Sequence, residues 1–338
     1  PLVQWISRYE EEPPPEEEVT LTRKVPSKLG QEEFLRLSIG EVRGAFVGTP
    51  LPRGAGMITS LTKAQGMARI PEESEGKQAG EKVRAELTVP RREVERVLVC
   101  VGSHDNILDL LANELMGLEE PISLASTHVG SMGGLKALQT GSAHLAGSHL
   151  YDPESGQYNF PFINRILPDN PVRVINLAVR HQGLLVQRGN PLGIRDTQDL
   201  TRQEVRFLNR QRGAGTRILL DDALQKSGIS AQSIQGYEKE EFTHMAVAVN
   251  VRSGVADCGM GIYAAAKALG LDFLPFARER FDLVLPRDLE EEPKVGTLLE
   301  LIRGDSFQEK ARALGGYETQ WTGRVMNPGD GLPPPETG

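Results

Sequence analysis

The order of apolar and polar positions divides the chain into two patterns. Up to about residue 90, short apolar runs are broken by Gly and Pro: "VTLTRKV", "EFLRLSIG", "GAFVGTPL", "MITSLTKAQGMARI" and "EKVRAELTV". Their spacing predicts a small all-β domain over 1–90, in which helix signals are weak. Within it the acidic proline run over 10–18, "EEEPPPEEE", reads as a solvated, semi-extended linker. "RREVER" is a charged connector.

From Val97 the pattern changes. "RVLVCVGS" is a wholly apolar strand, followed by "DNILDLLANELMG", where Ile107, Leu110, Leu111 and Leu115 recur at helical spacing and Gly117 fits a stop. "ISLAST" then precedes "GSMGGLKALQTG", and "SAHLAGSHL" is a third strand. Strands alternating with helices predict right-handed crossovers and a parallel sheet. A long extended stretch covers 172–189, the Gly-rich "QRGAGTR" opens a helix, and two helices close the chain around 294–303 and 306–314. The pattern therefore predicts a domain over 95–326 with two α/β lobes. One lobe takes 95–175 and 280–326, and the other 183–274. No solenoid-type repeat is present.

Three strands each end in a hydroxyl and a histidine: Ser103-His104, Ser126-Thr127-His128 and Ser148-His149. Ligands of open α/β sheets bind outside the carboxyl ends of strands, so these corners are expected to converge. Asp105 or Ser103 is expected to cap the first helix and Ser131 the second, with helix N-termini favouring an anion. The other lobe offers Arg212, Gly213, Gly215, Thr216 and Arg217 in "RGAGTR". Glycines admit close approach of the backbone, Thr216 brings a hydroxyl, and the arginines bring forked cationic donors. The run is neither GxxxxGK[ST] nor GxGxxG. The expected ligand set is thus Ser103, His104, Thr127, Ser131, Ser148, His149, Arg212, Gly213, Gly215, Thr216 and Arg217, with no catalytic and no metal residue. If His104 or His149 faced an anion, affinity would rise below about pH 6.5.

Blander readings compete. Ser and Thr after strands are ordinary caps. Three histidines at strand ends are also a zinc pattern, though no carboxylate is placed by sequence to orient them. "GSHD" holds the residue types of a hydrolase triad, but neighbours on one turn rarely meet its geometry and no GxSxG is present. His144, His181 and His244 read as structural, and so does Asp257, because a bare carboxylate repels an oxyanion.

The 338 residues carry a net charge of -8, against a nucleic-acid face. Cys100 and Cys258 lie in apolar runs without a CxxC pair and read as buried thiols. There is neither an 18-residue apolar run nor a basic-then-apolar leader, so the expectation is a protein that spans no membrane. Pro1 in place of Met suggests a processed or truncated chain.

Two resemblances add to this. Arg23, Ser27, Gly30, Phe34 and Arg36, with Pro50-Leu51, Gly54, Ser60-Leu61, Gly66, Ile70-Pro71, Gly76 and Gly80, resemble the C-terminal β domain of the molybdopterin molybdotransferases, of MoeA and gephyrin type. "PLVQWI" is similar to the tail of that family's preceding segment. Residues 95–326, through "GSHDNILDLLA", "GSMGGLKAL", "AHLAGSHLYDPESGQYN", "RGAGTR" and "ADCGMGIYAAAKALGLDFLPFARERFDLVLPR", resemble cytoplasmic periplasmic-binding-protein-like domains. These imply a type-II binding-protein fold related to molybdate and tungstate receptors and LysR effector domains. Together the resemblances imply the C-terminal part of a cytoplasmic molybdenum-cofactor enzyme whose whole form uses Mg2+ and molybdopterin. The pterin-binding domain is not in this sequence, so no cofactor is expected on the chain and no molybdenum insertion by it alone. The expected partner is molybdate or tungstate, held between the lobes to supply or regulate insertion. A small organic metabolite or the pterin is the alternative, and relatives imply a homodimer.

Overall fold

The computed structural model describes residues 14–53 and 63–335. Gly54 and Ser60-Leu61 of the first resemblance, "PLVQWI" and residues 10–13 lie outside them. The chain divides into two compact units, Pro1–Val97 and Leu98–Gly338.

The first unit is a closed barrel. Its strands are β1 (Glu16–Leu21), β3 (Glu33–Val42), β4 (Ala45–Pro50), β5 (Gly66–Ile70) and β7 (Lys82–Leu87), in the order β1-β4-β3-β5-β7. A two-residue pair, β2 (Val25–Pro26) and β6 (Gly76–Lys77), flanks it. β7 shows why it closes: Val83, Ala85 and Leu87 point inward between exposed Lys82, Arg84 and Glu86. With Leu35, Leu37, Ile39 and Ile70 they fill one core. The short helix α1 (Arg91–Glu95) adds Val94 to it. Closure leaves few sheet edges open to pairing. The linker reading of residues 10–18 needs correction, because Glu16–Glu18 form the start of β1 and pair with Arg84–Glu86 of β7. The Glu16 and Glu18 side chains face out of the barrel, so a strand there has the composition of a solvated tail. Gly76 has φ +118°, and a Cβ there would stand 1.9 Å from the Val25 carbonyl oxygen. Gly76→Ala is therefore expected to displace β2 from β6 and destabilise this unit by about 1–3 kcal/mol, read by urea unfolding.

The second unit begins with β8 (Val97–Gly102), every residue of it buried. There follow α2 (Asn106–Met116), β9 (Ser123–His128), α3 (Gly130–Gln139), β10 (Ala146–Ser148), the hairpin β11 (Tyr151–Asp152) and β12 (Gln157–Tyr158), and α4 (Phe160–Ile166). The next elements are β13 (Val172–Val186), β14 (Phe207–Arg210), α5 (Gly215–Lys226), β15 (Glu240–Glu241), α6 (His244–Arg252), β16 (Cys258–Ile262), α7 (Tyr263–Leu269) and β17 (Asp272–Pro286). Helices α8 (Pro293–Arg303) and α9 (Asp305–Leu314), with the short strands β18 (Tyr317–Glu318) and β19 (Val325–Met326), close the chain.

The main sheet runs β10-β17-β13-β16-β14-β15, with β18 and β19 beside β13. The sheet is mixed, and the parallel pairing expected of the first strands is seen where Cys100 meets Leu145. Parallel pairing is also present between β14 and both β15 and β16. The two 15-residue strands β13 and β17, however, are antiparallel to each other along nearly their whole length. They join the two ends of the sheet, so the fold is two lobes on one long ribbon. Cys100 and Cys258 are buried free thiols. Burial pushes Cys100 up to about 12, which makes it inert. Among the described residues no helix is long and apolar enough to cross a membrane.

Candidate functional site

Strand ends and the Gly-rich turn meet in the second unit. A Cβ on Gly102 would lie 2.5 Å from the Gly147 oxygen, on Gly130 3.4 Å from the Gly213 oxygen, and on Gly215 2.2 Å from His149 Nδ1. Side chains at 102 and 215 would force these corners apart. The three hydroxyl-bearing corners and "RGAGTR" are thus neighbours in space.

Their interior is charged. Arg180 of β13 has no exposed surface. Its Nε and Nη2 donate to Glu279 Oε2 at 3.0 and 2.8 Å, its Nη1 donates to Asp105, and it lies over the Phe281 ring. Tyr317 also donates to Asp105, which caps α2 through Ile107 N–H. Gln182 donates to Glu279 and, at 3.0 Å, to Thr216 Oγ1. His149 Nδ1 is 2.8 Å from Glu279 Oε1, and its Nε2 is 2.7 Å from Ser103 Oγ. Burial alone would raise the Glu279 carboxyl, but His149, Arg180 and Gln182 outweigh it and hold the group at about 2. Burial lowers His149, and Arg180 and Arg210 add to that against the pull of Glu279. Any gain of charge on His149 is thereby moved below the pH of about 6.5 at which a free ring takes up its proton.

The arginine that stands out is one the sequence reading passed over. Arg210, at the end of β14, is 2% exposed. Its Nε and Nη2 donate to the Glu241 and Phe242 carbonyls, but buried Nη1 has no partner. Burial, with Arg180 nearby, lowers it to about 9. It still carries its charge at neutral pH. A cation ending an apolar strand directly before a Gly-rich turn was the available signal. His244, read as structural, belongs here too. It begins α6, its Nε2 is 3.5 Å from Arg180 Nη1, and burial with Arg210 and Arg180 drives it well below its usual value.

Several expected ligands have other partners. Arg217 donates to Glu240 and to the Arg210 carbonyl and stacks on Tyr237, so it does not turn toward the corners. Arg212 is exposed and paired with Glu238 at 2.6 Å. Ser148 donates to Asn159 at 2.7 Å, within a separate network through Asp282, Arg280 and Asn176. His104 contacts Asp109 at 3.2 Å and packs edge-on against His128. Thr127 is buried. Ser131 does not cap α3; its Oγ accepts from the His149 N–H at 3.2 Å. Thr216 likewise accepts from Gln182. A hydroxyl that accepts keeps its own proton to donate. Ser131 and Thr216 stand in the first turns of α3 and α5, and neither helix has a side-chain cap. Gly213, at φ +83°, makes the turn before α5. Elsewhere, Asp257 binds Arg206 at 2.8 Å, His144 Nδ1 accepts from the Val99 N–H, and His181 meets Glu318 at 2.8 Å. Among the described residues no group of three or more His, Cys, Asp or Glu is placed to hold a metal ion.

Residues 112–303 match the model of the PBP superfamily domain. Residues 18–88 match that of the MoeA C-terminal region (domain IV). The uncharacterized protein YvgK of Bacillus subtilis (strain 168) is 35% identical over 228 residues, 68% of this chain and 73% of that protein. Among solved structures, a putative phosphate ABC transporter substrate-binding protein with bound phosphate from Clostridium perfringens aligns at TM-score 0.48 and 11% identity, covering 65% of this chain and 98% of that one. The substrate-binding domain of a putative molybdenum ABC transporter from Clostridium difficile aligns at 0.46 and 13%, covering 66% and 98%.

Proposed function

Because the chain belongs to the PBP superfamily domain family, we propose that its Leu98–Gly338 unit captures a small tetrahedral oxyanion, molybdate or tungstate, in the service of molybdenum-cofactor synthesis. The observation that carries this reading is buried Arg210, charged and with Nη1 unpartnered. A buried N–H without an acceptor costs about 1–3 kcal/mol, and an anionic ligand would remove that cost. The uncapped first turns of α3 and α5, with Ser131 and Thr216, supply further donors. Two helix N-termini and one guanidinium amount to roughly two positive charges, a match for a dianion. Asp105 and Glu279 do not oppose it strongly, since Arg180, His149, Gln182 and Tyr317 already satisfy them. The match of residues 18–88 to the MoeA C-terminal region favours molybdate or tungstate over other anions of this shape.

Melting the whole chain with molybdate, tungstate, phosphate or sulfate tests this. At 100 times the dissociation constant a ligand adds about 2.7 kcal/mol, which for a unit of this size raises the midpoint by roughly 5–10 °C. Arg210→Gln is expected to weaken binding about ten- to hundredfold by calorimetry, the loss of one charge-assisted bond. A shift with a pterin or an organic acid and none with either metal oxyanion would replace this reading with the metabolite one.

A further inference from the structure

Ser103, His149 and Glu279 form an arrangement that capture of an anion does not require. They come from three places: the corner after β8, the corner after β10, and the middle of β17. Ser103 Oγ is 2.7 Å from His149 Nε2, and His149 Nδ1 is 2.8 Å from Glu279 Oε1. All three are nearly fully buried.

The proton positions follow from chemistry. An ionised carboxylate only accepts, so Glu279 requires the proton of neutral His149 on Nδ1. Nε2 is then an acceptor, and Ser103 must donate to it. The Ser103 hydroxyl therefore presents lone pairs to anything placed before it. A fully deprotonated oxyanion also offers only lone pairs, so Ser103 is poorly suited to bind one. It is well suited to attack an electrophile.

The surroundings hold this line of atoms rigidly. Arg180 and Gln182 occupy the other oxygen of Glu279. Phe281 stacks on the His149 ring, and Gly215 leaves no room for it to swing away. Gly102, at φ +155°, puts Ser103 on a sharp strand-to-helix corner.

We propose that Ser103 is a nucleophile, with His149 its general base and Glu279 a positioning residue, acting on carboxylic esters that carry an anionic group. Ser103 Oγ bonds to the acyl carbon as the bond to the alcohol oxygen breaks. The Oγ proton passes to His149 Nε2 and on to the departing alkoxide. Water, giving one proton to Nε2, then attacks the acyl-serine; the carboxylic acid leaves with the other proton, and the proton on Nε2 returns to Oγ. The preference for an anionic ester rests on Arg210 as an anion anchor; the relay itself does not.

Incubating the whole chain with a fluorophosphonate probe and mapping the adduct by mass spectrometry tests it. Labelling is expected at Ser103, with loss of fluoride. It should be absent in Ser103→Ala and about 10²–10⁴-fold slower in His149→Gln, the range for loss of a general base. Because the buried ring of His149 gives up its proton more readily than a free one, the fall of the labelling rate toward acid should have its midpoint below pH 6.5. No adduct on Ser103 of the wild-type chain, or equal labelling in His149→Gln, would overturn the relay. Melting the same sample with molybdate separates the two ideas. A melting shift without an adduct removes only the nucleophile, and an adduct without a shift removes only the oxyanion receptor.

Discussion

Replacing Arg180 with Met is expected to destabilise the Leu98–Gly338 unit by about 3–5 kcal/mol, the cost of leaving a buried charge without its partner. The change strands two buried carboxylates. Asp105 keeps only Tyr317 and the Ile107 N–H, and Glu279 keeps only His149 and Gln182. Both groups would then take up protons or water, and the corner after β8 would loosen with them. For a unit of this size the melting midpoint should fall by roughly 6–20 °C. The barrel unit serves as an internal reference, because the bonds of Arg180 among the described residues go to Asp105, His244 and Glu279. A loss below about 1 kcal/mol would mean that the network contributes position and not stability.

A second large effect is expected from acid. Burial, with Arg180 and Arg210, lowers the proton affinity of His149 and drives that of His244 well below its usual value in the folded chain. Released on unfolding, each binds a proton with a pKa near 6.5. The unfolded state therefore holds more protons below that pH, and stability falls as pH falls. A ring that stays neutral when folded costs about 1.4 kcal/mol per pH unit below 6.5, so His244 removes roughly 2 kcal/mol by pH 5, and His149 adds to that loss. Glu279, held near 2, adds its own loss once pH drops below about 4.5. Urea unfolding between pH 7.5 and 5 measures this as a slope of about one to two protons below pH 6.5. His244→Gln should reduce the slope by about one. A flat profile through pH 6 would show that the rings already carry protons when folded.

Local pattern accounts for what the sequence disclosed. Alternation in "EKVRAELTV" requires a strand with one wet face, and the apolar "RVLVCV" requires a buried one. Corners rich in Ser and His fall at strand ends because the apolar run stops there. The site was only partly legible, because partners remote in sequence decide which way a side chain points. Arg217 looks available beside its glycines, until Glu240, 23 residues on, takes its guanidinium. Ser148 is claimed by Asn159 in the same way. Arg180 and Glu279 did carry a signal, each a charge inside a long strand, yet 99 positions separate them. Acidic residues on the outside of β1 misled in the opposite sense, since a barrel's wet face and a disordered tail share a composition.

The ribbon of β13 and β17 does more than join two halves. Its pairing slips once between Asn176 and Ala178 and again between Gln182 and Gly183. Arg180, Gln182 and Glu279 lie on or between those slips, so the strands that link the lobes also hold the charges of the site. Slips of register are where a ladder bends most readily. Any flexure there changes the spacing of Arg180 and Glu279 directly, because they bond to each other across the two strands. The ribbon is in this sense a strain gauge, in which bending at the slips and the bond between Arg180 and Glu279 are one variable.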